Sequence, residues 1–113
     1  MGAADYINLV AARARISAAV AARTAAFDAV ITPTCPVIPP ALAEVEAEAD
    51  YNRINMLLLR NTAAFNFLDR CSISLPIHRP GEAPVGLMLT GEHMADAALF
   101  RTAAAVEAAL AVT

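Results

Sequence analysis

Lysine and tryptophan are absent from this chain of 113 residues, and cysteine, histidine, serine and glycine are scarce. Each shortage removes a class of chemistry. All eight basic residues are arginine, at 13, 15, 23, 53, 60, 70, 79 and 101, scattered among eleven acids with a net charge of −3. There is no basic run and no aromatic interleaving for phosphates and bases to engage, which argues against nucleic acid as a partner. Cys35 and Cys71 form no Cys-x-x-Cys pair and His78 and His93 stand apart, so the ligand spacing of a zinc site is missing. One Cys35–Cys71 bridge is compatible with the sequence, but two buried free thiols suit a cytosolic chain better. Apolar runs fall well short of the roughly 20 residues that span a bilayer, and no basic start followed by a greasy core opens the chain. A soluble, cytoplasmic protein with no membrane partner is expected.

What is abundant is alanine. Hydrophobic residues make up 58% of the chain and 28 of them are alanine. That excess above the usual range has two readings: a helix-rich domain with tight packing, or a piece whose apolar surface is covered by something outside it. The length allows one domain with one core.

Along the chain, Tyr6, Leu9, Val10, Ile16, Val20 and Phe27 recur at helical spacing and predict a helix from Ala3 to Phe27 with these residues on one buried face. Arg13 falls inside that stripe. It is read either as a snorkelling side chain whose stem covers core, or as half of a buried ion pair that orients the helix. A short apolar strand, Ala29 to Thr32, then enters a segment with four of the seven prolines, where no central strand can continue. Residues 35–50 read as a proline-rich and then acidic connector. From Tyr51 to Leu68 a second helical stripe, Ile54, Leu57, Leu58, Phe65 and Leu68, is interrupted by Arg60, Asn61, Thr62 and Asn66. Polar groups in such a stripe bond to the core or face a cleft. Two strands, Ser72 to Ile77 and Val85 to Thr90, form a hairpin around Pro80 and Gly81. Asp96 reads as the N-cap of a last helix whose face is Leu99, Phe100, Ala103, Val106 and Leu110. Three strands are a narrow base for three helices, and their edges stay unpaired unless more strands join.

The stretch FDAVITPTCPVIPPA, followed by RNTAAFNFLDRCSISLPIHRPGEAPVGLMLTGEHMADAALFRTAAAVEAAL, closely resembles the C-terminal region of amidase signature enzymes. The resemblance rests on Phe27, Asp28, Thr32, Pro33, Thr34 and Pro36, then Phe65 and Asn66, Ser74 and Pro76, and Pro84, Gly86 and Gly91, in that order. Where many members have Gly-Leu-Pro before the second strand, this chain has Asp69, Arg70 and Cys71, a form that resembles the allophanate-hydrolase-like branch.

The resemblance implies an α/β fold: a partial amidase-signature domain filling residues 1–113, with a mixed sheet of about three strands flanked by helices. It also implies an amide (C–N) hydrolase whose serine nucleophile is activated through a second serine and a lysine. Neither a lysine nor a Gly/Ser-rich oxyanion loop exists here, the serines being Ser17, Ser72 and Ser74. Ser74 and His78 are roughly 13 Å apart along an extended segment at about 3.3 Å per residue, too far for a local pair. The chain is therefore expected to be inactive alone, with no catalytic residue, cofactor or metal of its own. By resemblance and polarity, Arg60, Asn61, Thr62 and Asn66, with Thr32 and Thr34, are the substrate-cleft candidates; helix capping and strand-end bonding are their other reading. The expected partners are a small-molecule amide in the complete enzyme and the N-terminal remainder of an amidase or a second copy. The alternative is a small non-catalytic module, derived from the amidase family, acting by self-association or partner binding.

Overall fold

A computed structural model describes residues 1–111. Its elements are α1 (Ala3–Thr24), β1 (Val30–Pro33), a 3₁₀ turn (Leu42–Val45), α2 (Glu48–Phe67), β2 (Ser72–Pro76), β3 (Gly86–Thr90) and α3 (Asp96–Leu110). The strands form an antiparallel sheet in the order β1-β3-β2. This is the expected α/β arrangement of a three-stranded sheet with flanking helices. All the described pairings are antiparallel, so a mixed sheet would take strands beyond these.

Register divides the sheet into two chemically different faces. Ile73 pairs with Leu89 and Leu75 with Leu87, so these four share one face. Leu99 and Ala103 of α3 close over it, and Leu75, Leu89, Leu99 and Ala103 form the buried cluster. On the other face stand Thr32, Ser72, Ser74, Met88 and Thr90, beneath α2. The α3 stripe is as expected at Leu99, Ala103 and Val106, but Leu110 in the last turn is exposed, and Phe100 is exposed because it lies about 100° around the helix from Leu99. Asp96 is the first helical residue rather than the cap, which is Ala95.

The hairpin loop turns where Pro and Gly predict. Glu82 N–H donates to the Arg79 carbonyl at 3.0 Å, and Gly81 has φ 87°. With Pro80 ahead of it, this is the type II arrangement, which needs a positive φ at its third residue.

Helix α2 starts at Glu48, inside the segment read as connector, so Glu48 and Asp50 sit in its first turn, where acids favour the helix dipole. Its end is a Schellman motif: Arg70 N–H donates to the Phe65 carbonyl and Asp69 N–H to the Asn66 carbonyl, each at 3.2 Å. Asp69 occupies the left-handed position, φ 55°, that glycine usually fills. Arg13 compensates. Its Nη2 lies 2.7 Å from Asp69 Oδ2, and its Nε donates to the Phe67 carbonyl at 2.7 Å.

Arg13 thus has an ion-pair partner, but the pair is not buried: the two side chains are 40% and 59% exposed. The expected burial of the α1 stripe is not met either. No residue of α1 is buried, and Tyr6, Leu9, Val10, Ile16 and the following Phe27 are exposed. The face turned inward carries half-buried Arg13, Ser17, Val20, Ala21 and Thr24. Polar links fasten it there; Arg13 and Val20 of the predicted stripe lie on this face, and Tyr6, Leu9 and Val10, at nearby helical angles, have no described element over them.

Area and shape agree with that. The accessible surface is 8116 Å², against about 5,900 Å² for a compact monomer of this mass. The radius of gyration is 17.2 Å, where a compact chain of this length has about 13 Å.

Candidate substrate cleft

The polar sheet face, the end of β1 and α2 enclose two depressions that share Thr34 and Ser74. The smaller, about 280 Å³, is lined by Thr34, Thr62, Asn66, Arg70, Ser72 and Met88 among others. The larger, about 700 Å³, lies between the proline arm after β1 and the β2–β3 loop.

Period-two spacing builds the polar floor. Ser72 and Ser74 are two apart on β2, and β3 faces them with Thr90 and Met88. The Ser72 and Thr90 hydroxyls are 2.8 Å apart, and those of Ser74 and Thr34 are 2.5 Å apart. Gly86 makes the second pair feasible. A Cβ there would lie 2.5 Å from Ser74 Oγ and 2.6 Å from Thr34 Oγ1.

Of the sequence-derived candidates, Thr34, Thr62 and Asn66 meet at the smaller depression. The Thr62 hydroxyl donates to the Leu59 carbonyl at 3.1 Å, which leaves its lone pairs to face outward. Asn61 acts on the scaffold: its Nδ2 donates to the Pro33 carbonyl at 2.8 Å. Since Thr34 N–H bonds the Gly86 carbonyl, alternate residues of β1 turn their backbone groups outward, and that carbonyl is one of them. Asn61 therefore occupies the free edge of β1. Thr32 lines neither depression, and its buried hydroxyl has no hydrogen-bond partner among the described residues. Arg60 is exposed and lines neither depression.

Ser72, Ser74 and Arg70 were not among the candidates, although the alternation of Ser72 and Ser74 with Ile73 carried the signal for the serines. The Arg70 side chain is 4% exposed and pairs with Glu92. Its Nη2 also donates to Thr24 Oγ1 at 2.9 Å, tying α1 to the end of β3. Arg70's hydrogen bond holds the Glu92 carboxyl below its ordinary pKa, aided by the Arg70 charge and Thr24 and opposed by desolvation.

The remaining reactive side chains are held by backbone. Cys71 Sγ donates to the Glu92 carbonyl at 3.0 Å, and His93 Nδ1 donates to the Asp69 carbonyl at 2.6 Å. Val85 N–H donates to His78 Nδ1 at 3.3 Å. Both thiols are free; Cys71 is half-buried, but Cys35 is exposed, contrary to expectation, because the proline arm runs over the surface. No cluster of metal-ligating side chains occurs among the described residues. No described helix is long and apolar enough to cross a membrane.

A family model described as amidase matches residues 1–100. Among curated proteins, the 2-amino-5-chloromuconic acid deaminase of Comamonas testosteroni is 34% identical over 92% of this chain and 23% of its own length. The A component of the glutamyl-tRNA(Gln) amidotransferase of Thermotoga maritima is 31% identical over 72% of this chain and 16% of its own length. The chain thus spans under a quarter of either relative, and the matches lie in their C-terminal part. No solved structure matches it.

Proposed function

The chain belongs to the amidase family, and we propose that it forms one wall of the substrate cleft in an amide (C–N) hydrolase whose nucleophile, second serine and lysine lie outside these residues. The observation that carries this reading is a family match across residues 1–100 in a sequence without lysine. A lysine-dependent base cannot come from these side chains.

The cleft wall is the face bearing Thr34, Thr62 and Asn66, with Asn61 and Thr32 supporting it from α2 and β1. Arg60 stands outside it. The substrate is a small-molecule amide. The N-terminal remainder of an amidase domain would cover the apolar side of α1, and the roughly 2,200 Å² of surplus surface is what an obligate interface buries. The setting is cytoplasmic.

The test is ammonia release from a simple carboxamide. The purified chain should release none, and joining it to the N-terminal part of its amidase should restore turnover. Enzymatic release by the chain alone would refute the proposal.

A second reading, a non-catalytic module that self-associates, draws on the open edge of β2. Gly91 N–H bonds the Cys71 carbonyl and Ile77 N–H the Val85 carbonyl, so Ser72 and Ser74 present their backbone groups outward. Sedimentation over a concentration series separates the two readings: a discrete dimer favours the module, and open-ended association favours the cleft wall awaiting its remainder.

A further inference from the structure

Building on the cleft as an amide site, we infer that the larger depression selects an uncharged carboxamide with an apolar tail, the amide resting on the Thr34–Ser74 hydroxyl pair and the tail against the proline arm. At about 700 Å³ the space falls in the range of roughly 300–1,000 Å³ typical of small-ligand sites. Its wall is Pro36, Val37, Ile38, Leu58 and Val85, and no arginine, aspartate or glutamate lines it. Prolines 36, 39 and 40 fix the arm's φ angles, so little freedom is left to lose when a ligand lies on it.

The polar end matches an amide by its hydrogen-bond count. Thr34 and Ser74 hold one hydroxyl hydrogen between them at 2.5 Å, which leaves one O–H to donate to a carbonyl and lone pairs to accept an N–H. A carboxylate offers acceptors alone, and its charge would enter without a fixed counter-ion: Arg60 lies outside the groove, Arg70 is buried against Glu92, and His78, which lines the groove, takes the Val85 N–H on Nδ1 at 3.3 Å as a neutral imidazole does. An unpaired charge in an apolar groove is strongly disfavoured.

The experiment is an NMR titration of the ¹⁵N-labelled chain with phenylacetamide and with phenylacetate, which share a tail and differ in charge. Phenylacetamide should give saturable shifts at Thr34, Cys35, Ile38, Ser74 and Val85, and phenylacetate should bind at least about tenfold more weakly, a difference of about 1.4 kcal/mol. Ser74→Ala should weaken phenylacetamide about two- to tenfold. If that variant fails to fold, Ile38→Arg serves instead, since Ile38 is 64% exposed and its replacement leaves the core alone. Ile38→Arg should shift preference toward phenylacetate. Equal binding of the two probes, shifts centred elsewhere, no saturable shift in the folded chain, or an unchanged preference in Ile38→Arg would overturn the inference. The readouts are separate from the hydrolase reading. Groove binding without turnover in the joined enzyme refutes the hydrolase alone, and turnover without groove binding refutes the groove alone.

Discussion

Gly86→Ala tests whether the Thr34–Ser74 pair is built as described. The new Cβ would lie 2.5 Å from Ser74 Oγ, 2.6 Å from Thr34 Oγ1 and 3.1 Å from Thr34 Cβ. Ser74 can rotate away, but it then gives up the hydroxyl bond, a loss of about 1 kcal/mol. Thr34 Cβ is fixed to the backbone, so crowding there costs about another 1 kcal/mol. Alanine recovers about 0.5 kcal/mol by restricting the unfolded chain. The net loss is about 1–2 kcal/mol, which for a domain of this size lowers Tm by about 4–8 °C. Urea unfolding followed by circular dichroism measures it, with an unchanged slope showing that the unfolding reaction is the same. Adding Ser74→Ala should recover about half, because the nearest clashing atom is gone. A Gly86→Ala variant as stable as the parent, or a double variant no more stable than the single one, would refute this geometry.

At Asp69, glycine should equal or exceed aspartate in stability and alanine should fall about 1 kcal/mol below it, because alanine keeps the left-handed strain and loses Arg13, whose exposed pair is worth less than the strain; urea midpoints give the order. Glu92 has a lowered folded pKa, so the unfolded carboxyl takes up its proton first as pH falls. Its contribution is whole above its ordinary value of 4.5 and is lost as pH drops through the folded value, so Glu92→Gln should flatten the acid limb of a stability–pH curve. In a complete enzyme, Asn66→Ala should raise KM or lower kcat several-fold while Arg60→Ala changes neither, as steady-state kinetics on one carboxamide would show.

What the sequence made legible was local. Pro80 and Gly81 dictated the hairpin turn, and Leu99, Ala103 and Val106 marked the α3 face, because such choices depend on neighbours within a few residues. The left-handed Asp69 was not legible, since no local signal separates a left-handed aspartate from a helical one, and its partner Arg13 lies 56 positions earlier. The site was half legible. Thr34, Thr62 and Asn66 came from polarity and resemblance, but the hydroxyl floor needed the pairing register before Ser72, Ser74 and Thr90 could be seen to share a face.

The α1 stripe exposes a limit of a different kind. Hydrophobic periodicity reports which face of a helix is to be buried; it does not say that the cover lies in the same sequence. Here the helix forms, with Asp5 accepting from the Gly2 N–H at 2.9 Å to close its first turn, while its patterned side stays exposed. Arg13 and Thr24 reach the end of α2 and the Arg70–Glu92 pair, and these links hold the inner side of the helix. A cover for the exposed apolar residues would then dock on a helix already oriented. Breaking the Arg13 link should therefore weaken association with the rest of an amidase domain although every apolar side chain of the stripe is left intact. In a pull-down against the N-terminal part, Arg13→Ala and Asp69→Ala should each lower affinity, and the double variant should lower it by no more than the stronger single one. Full additivity would mean that the two residues act separately and that the ion pair does not set the helix.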